Sequence, residues 1–125
     1  MGIASGQSMA FSMPGGEACE ASRKRPIDLD HLAQQTFGDR ELEAEVLCMF
    51  CHQVNSVADR MSGADAATRV TLAHTLKGSA RGVGAMALAS LAERLEGAPA
   101  DARLVASLKA EAVRVCDFIA TITRC

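Results

Sequence analysis

One histidine in this 125-residue chain lies in a pattern that could carry group-transfer chemistry. Lys77 follows His74 at a distance of three residues and Gly78 at a distance of four. In a helix these residues are neighbours on one face, and Arg81 lies one turn further along it. A neutral imidazole can act as a nucleophile at pH 7, and the flexible ammonium of a nearby lysine can reach an anion held on the ring. The pattern therefore indicates a histidine that accepts an anionic group.

Gly78 is an unusual residue for the middle of a helix. A glycine there costs about 1 kcal/mol relative to alanine, although alanine is common in this chain. The apolar residues fall on the opposite side of the same predicted helix, at Leu72, Leu76, Ala80 and Val83. The glycine removes side-chain bulk one turn from His74, so that a large partner, such as the active site of another protein, can approach the ring. Without the glycine, an ordinary solvated helix face would be the better interpretation.

The elements that must position this face are helices. Only 3% of the residues are aromatic, with no Trp and no Tyr, which argues against a β-sandwich or barrel. Apolar residues at helical spacing, separated by short breakers, predict one short helix followed by four long ones. These helices begin near Asp28, Asp39, Ala66, Ala85 and Asp101. We therefore predict an all-α fold, an antiparallel up-down four-helix bundle with the short N-terminal helix as a lid.

The first 26 residues differ from the rest in composition. They contain four of the ten glycines, two of the three prolines and three of the six methionines, without an apolar period. We predict a flexible tail over residues 1–26 and one domain over residues 27–125. The tail has no basic start and no continuous apolar stretch, so we expect no signal peptide and a cytoplasmic protein. The basic residues Arg23-Lys24-Arg25 either contact an acidic partner or keep the linker solvated.

Charge and length limit the classes of function. Thirteen basic residues against fifteen acidic ones, with a pI of about 5.9, leave no strong basic field for nucleic acid or an anionic membrane. No apolar run approaches the length of a membrane span. The roughly 100 residues after the tail are too few for a nucleotide-binding fold and a second substrate domain. Phosphate chemistry would therefore depend on a partner, and we expect a monomer because the bundle can bury its own apolar faces.

The stretch His74-Thr75-Leu76-Lys77-Gly78-Ser79-Ala80, followed by Gly84-Ala85, resembles the signature of histidine-containing phosphotransfer (HPt) domains. That family's motif is His-x-x-Lys-Gly-Ser/Ala, with a Gly-Ala pair ten and eleven residues after the histidine. The segment from Leu88 to Glu96 is similar to the family's next helix. The opening from Ile27 to Asp39 is also similar, so the resemblance covers about residues 27 to 123.

The resemblance implies a phosphorelay function. His74 would receive a phosphoryl group from the aspartate of one receiver domain and donate it to the aspartate of a second. Lys77 would steady the phosphoryl group and Gly78 would give it room. The resemblance assigns no role to Arg81, which by its position on the same helix face would add a second positive charge. The Mg²⁺ and most of the electrostatic stabilisation would belong to the receiver, so this chain would need no cofactor and no carboxylate cluster near His74. Val70, one turn before His74, would be an apolar docking contact or simply an exposed valine.

The chain would thus be a covalent phosphoryl carrier and not an ATP-using kinase. A helical adaptor that docks receiver domains without chemistry is one alternative with the same fold. The presence of His74, Lys77 and Gly78 together speaks against it.

A second alternative comes from Cys48-Met49-Phe50-Cys51-His52, which matches the Cys-x-x-Cys-His pattern of covalent haem attachment. Met61 or Met86 would then be an axial ligand. The missing export signal, the position inside a helix and the shortage of aromatic residues argue against haem. A zinc site would lack a fourth ligand, and a redox role lacks a thioredoxin-like strand context. We therefore expect the five cysteines to be reduced thiols, and we expect Cys48 and Cys51 to be small side chains that are buried or half-buried.

Overall fold

The structure, a computed structural model, describes residues 25–124, and these residues form five α-helices and no strand. The helices are α1 (Leu29–Gln35), α2 (Arg40–Met61), α3 (Ala66–Val83), α4 (Met86–Gly97) and α5 (Ala102–Ile122). The predicted all-α class, with a short first helix before four longer ones, is confirmed. In this part of the chain no helix combines the length and the apolar character needed to cross a membrane.

Aspartate residues are the N-caps of four of these helices. Asp28, Asp39, Asp65 and Asp101 each precede the first helical residue, and each carboxylate accepts a hydrogen bond from a backbone N–H in the first turn. These N–H groups have no partner within their own helix, so the side chain supplies one. The hydrogen bonds from Thr68 also lower the pKa of Asp65. Such caps are short sequence signals, which is why the helix starts were predictable.

The four long helices pack in chain order, and α5 closes the bundle against α2, while α1 packs on α3. The largest fully buried side chains are Ile27, Leu32, Val54, Met61, Leu76, Leu88, Leu95, Leu108, Val115 and Ile119. Within α2, α4 and α5 these residues recur at spacings of seven and four, as an apolar helix face requires. Leu42 and Ile122 continue the apolar pattern of α2 and α5 but are exposed, because they lie near the ends of these helices.

Contacts between facing residues show how two of the helices run. His74 pairs with Glu96 and Arg81 pairs with Glu93. Residue numbers therefore fall along α4 as they rise along α3, and these two helices are antiparallel. The up-down order of the complete bundle stays a prediction.

The corner between α3 and α4 depends on Gly84. Its φ of +89° is left-handed, and its carbonyl oxygen accepts a hydrogen bond from the backbone N–H of Asp28 at 2.9 Å. A Cβ at this position would lie 2.8 Å from the carbonyl oxygen of Asp28. Ala85, the next residue, is fully buried. The Gly-Ala pair of the sequence motif thus joins α1, α3 and α4 at one point.

Arg69 secures the opposite end of α3. Its guanidinium donates to the carbonyl oxygens of Met61 at 2.9 Å, Ser62 at 3.3 Å and Pro99 at 2.9 Å. Carbonyl groups at helix C-termini lack partners in their own helix and carry partial negative charge, so a guanidinium satisfies them well. Arg69 therefore ties the start of α3 to the end of α2 and to the α4–α5 connection.

The N-terminal boundary of the packed domain differs slightly from the prediction. Pro26, assigned to the tail by composition, is buried, as is Ile27, whereas Arg25 is exposed. Residues 1–24 of the predicted tail, with Arg23 and Lys24 of the basic cluster, lie outside the described residues.

We expect Gly84→Ala to lower the free energy of unfolding by about 2 kcal/mol or more, because alanine rarely adopts a positive φ and its Cβ would clash with Asp28. Gly82→Ala is the matched control, since Gly82 lies within α3 and a Cβ there would have open space. That control should raise the free energy of unfolding by about 0.5–1 kcal/mol. Urea unfolding followed by circular dichroism measures both. Equal effects would show that the corner does not require glycine.

Candidate functional site

His74 lies in the middle of α3 on the face that points away from the core. Its side chain is 70% exposed, while its neighbour Ala73 and Leu76, two residues on, are buried. The ring nitrogen Nδ1 lies 2.9 Å from Oε2 of Glu96 on α4. An ionised carboxylate has no proton to donate, so Nδ1 carries the proton and donates the hydrogen bond to Glu96. In the neutral ring the outer nitrogen, Nε2, then has the free lone pair.

Glu96 joins two side chains of α3. While Oε2 accepts from His74, Oε1 lies 2.6 Å from Nζ of Lys77 in an ion pair, although the angles of this contact are poor for a hydrogen bond. Both contacts favour the charged carboxylate and lower the pKa of Glu96, Lys77 contributing more than His74. One carboxylate thus orients the imidazole and holds the nearby cation.

Lys77 lies against α4 and does not extend over the imidazole. Its side chain is 18% exposed and that of Glu96 is 20% exposed, whereas that of His74 is 70% exposed. The lysine is therefore held one helical turn from His74. Its anionic partner is Glu96, whereas the sequence pattern predicts an anion bound to the imidazole as its partner.

Gly78 is exposed, and a Cβ at this position would have no atom within 4 Å. It lies inside α3 and is not one of the described glycines with a positive φ, which are Gly38 and Gly84. Neither packing nor backbone conformation therefore requires a glycine at position 78. Gly82, one turn further on, has the same open surroundings. Gly78 therefore leaves open space one turn from His74, as the interpretation of Gly78 as an access residue requires.

Arg81 and Val70 flank this surface. Nη2 of Arg81 lies 2.7 Å from Oε1 of Glu93 on α4, and both side chains are exposed. An exposed ion pair of this kind contributes about 0–1 kcal/mol, so the guanidinium exchanges partners readily. Val70 is half-buried one turn before His74, which leaves part of its side chain accessible.

The two glutamates on α4 were missed by the sequence analysis. The sequence predicts no carboxylate cluster near His74, but one carboxylate, Glu96, contacts it directly, and Glu93 lies on the same side of α4. The sequence does contain a signal for these ion pairs. The two glutamates are three residues apart on α4, and the two basic residues Lys77 and Arg81 are four residues apart on α3. To predict which acid pairs with which base, one must know the register of α3 against α4, and no local sequence pattern gives that register.

The Cys-x-x-Cys-His segment lies inside α2, with its cysteines near α5. Cys51 is a half-buried free thiol beside Cys116, and His52 is exposed. Cys48 lies 4.0 Å from the hydroxyl of Thr123 and is disulfide-bonded, so the expectation of reduced thiols is wrong for this residue. Haem attachment would need the thiol of Cys48. Within residues 25–124, no group of three or more His, Cys, Asp or Glu side chains could hold a metal ion.

Comparison with known proteins bears on the same part of the chain. The family model of the Hpt domain matches residues 45–118, more than half of the chain, and this range includes all of α3 and α4. No curated protein and no solved structure matches the chain.

The lowered pKa of Glu96 predicts a pH-dependent stability. Its folded-state pKa lies below the ordinary value of 4.5, so its contacts stabilise the fold above about that pH and this stabilisation is lost as the pH falls through the lowered pKa. Wild type should therefore exceed Glu96→Gln in free energy of unfolding at neutral pH, with the difference shrinking on acidification below pH 4.5. Urea unfolding at a series of pH values measures this, with the exposed Glu45→Gln as a control for charge removal. Parallel pH profiles for wild type and Glu96→Gln would contradict it.

Proposed function

The chain belongs to the Hpt domain family, and on that basis we propose that it carries a phosphoryl group on Nε2 of His74 between receiver domains of a multistep phosphorelay. The observation that supports this most directly is the exposed imidazole whose Nδ1 is held by Glu96. The chain acts as a covalent carrier and not as an ATP-using kinase.

The hydrogen bond to Glu96 prepares His74 for nucleophilic attack. With the proton on Nδ1, the lone pair of Nε2 is free and faces solvent, where a phosphoaspartate can approach. Nε2 attacks phosphorus, the N–P bond forms, and the P–O bond to the aspartate breaks, so that the electron pair leaves with the carboxylate. Nδ1 keeps its proton, and the carboxylate of Glu96 offsets the positive charge that the ring acquires. Donation to a second receiver reverses these bond changes.

Lys77 supplies the nearest positive charge for the phosphoryl oxygens. Its ammonium starts on Glu96, one helical turn from the ring, and its flexible side chain reaches Nε2 by rotation. The move exchanges one anionic partner for another, so the ammonium is never left unpaired. Arg81 is a second cation on the same face, held by Glu93 in an exposed pair that separates easily.

The open surface at Gly78 allows a receiver domain to bring its active-site cleft over His74. Val70, half-buried at one side of this surface, is an apolar docking contact. We expect the Mg²⁺ of the reaction to arrive with the receiver, where it neutralises the charge on the phosphoaspartate.

Replacement of His74 tests the site. Phosphoramidate, a small donor that phosphorylates histidine without a partner protein, should add one phosphoryl group to wild type, and a receiver carrying ³²P-phosphoaspartate should transfer its label. The label should survive alkali and be lost in acid, as expected of an N–P bond. His74→Gln should abolish both reactions, whereas His52→Gln, which removes an exposed histidine on α2, should abolish neither. Labelling that persists in His74→Gln would refute the assignment. A protein that binds the receiver without any labelling would be an adaptor.

Substitutions at Gly78 test access to the ring. Gly78→Gln adds bulk without charge, and it should slow transfer from a receiver by about 100-fold, the loss associated with a misplacement of roughly 1 Å. Gly78→Glu should slow it at least as much, and Gly78→Ala far less. Gly82→Gln places the same side chain one turn further from His74, and it should retain most of the rate. Single-turnover transfer assays measure the rates, and circular dichroism checks that each helix stays folded. If Gly78→Gln transfers as fast as Gly82→Gln, the glycine has no role in access.

A further inference from the structure

The interface between α2 and α5 holds two free thiols that phosphoryl transfer does not use. Cys51 on α2 and Cys116 on α5 are both half-buried, and both pack against the edge of the hydrophobic core. We propose that Cys51 and Cys116 form a redox modification site, which low-molecular-weight disulfides such as oxidised glutathione convert to an intramolecular disulfide bond.

The two thiols already lie in one cluster. Sγ of Cys116 is 3.8 Å from the carbonyl oxygen of Cys51 and 3.5 Å from Oδ1 of Asn55. The amide nitrogen of the same Asn55 donates to Sγ of Cys51 at 3.8 Å. One asparagine side chain thus contacts both sulfurs, and Cys116 also touches the main chain of the other cysteine. A disulfide bond forms when rotation of the two side chains brings these neighbouring sulfurs to bonding geometry.

The environment gives the two thiols different roles. Burial, and then the hydrogen bond and charge of Cys51, raise the pKa of Cys116 to about 12. A thiol with this pKa carries almost no thiolate at neutral pH, so Cys116 is a poor attacking group. Cys51 is therefore the sulfur that attacks the external disulfide. In the mixed disulfide the hydrogen bond and charge of Cys51 no longer raise the pKa of Cys116, while burial still does. Cys116 then resolves the intermediate, in the slower of the two steps.

The reaction has two balanced steps of thiol–disulfide exchange. The thiolate of Cys51 attacks one sulfur of oxidised glutathione, a protein–glutathione S–S bond forms, and the S–S bond of glutathione breaks to release one thiolate. Cys116 gives its proton to that thiolate or to water, and its sulfur attacks the sulfur of Cys51, which releases the second glutathione. Two protein thiols are oxidised, and one disulfide is reduced to two thiols.

The Cys51–Cys116 bond would join α2 and α5 across a separation of 65 residues in the chain. Cross-links over long loops restrict the unfolded chain, so the oxidised protein should unfold at a higher temperature. His74 lies at the interface of the other two long helices, α3 and α4. Formation of the disulfide between α2 and α5 therefore does not require phosphoryl transfer at His74.

Mapping of cross-linked peptides tests the site. Trypsin cuts after arginine, so Cys48 and Cys51 share the peptide 41–60, and Cys116 lies in the peptide 115–124. After treatment of the full-length protein with oxidised glutathione and alkylation of remaining thiols, mass spectrometry should find these two peptides joined. The link should persist in Cys48→Ser, where only Cys51 remains in the first peptide, and it should disappear in Cys51→Ser and in Cys116→Ser. No link in Cys48→Ser, or a link that survives in Cys51→Ser, would overturn the assignment.

Thermal unfolding gives an independent readout in the Cys48→Ser background. Oxidation should raise the midpoint temperature by several degrees, and dithiothreitol should reverse the shift. The shift should be absent from the double variants that also carry Cys51→Ser or Cys116→Ser. The same oxidative shift in these double variants would show that another pair of cysteines is responsible.

Discussion

Glu96 on α4 holds two side chains of α3 at once, the imidazole of His74 and the ammonium of Lys77. The contact at Nδ1 sets the position of the ring proton, and so decides which nitrogen is the nucleophile. The contact with Lys77 keeps a cation within reach without covering the ring. Both contacts lower the pKa of the carboxylate, that of Lys77 more than that of His74, so Glu96 stays charged and the arrangement persists at neutral pH. The chemistry of α3 therefore depends on a residue of another helix.

This dependence makes the register of α3 against α4 the main structural requirement. A shift of one turn would move Glu96 away from His74, because successive turns are about 5.4 Å apart. Gly84 and Arg69 fix that register from the two ends of α3. Gly84 makes the corner into α4 against the backbone of Asp28, and Arg69 binds carbonyl groups at the end of α2 and after α4. Neither residue contacts the ring, yet both determine where it lies.

Much of the fold was predictable because its signals are local. Asp28, Asp39 and Asp101 precede helices whose first turns they cap, and the apolar spacing marks the buried faces. The exposed position of His74 followed from the same periodicity. Glu96 and Arg69 were not predictable, because their partners lie 22 residues away for Glu96 and as far as 30 for Arg69. The contact between Cys51 and Cys116 was not predictable either, because the Cys-x-x-Cys-His segment lies in α2 and Cys116 lies in α5.

The amino-acid sequence by itself determined the helices, their starts, the core-facing sides, and the histidine with its lysine and glycine, since spacing along one helix places residues on one face. Only the tertiary structure decided which carboxylate meets His74, where Lys77 rests, and which cysteines are neighbours. The physical reason is that contacts between helices depend on their register and packing. The register is set jointly by the corner at Gly84, the hydrogen bonds of Arg69 and the packing of the whole core, and no short segment of the sequence carries that information.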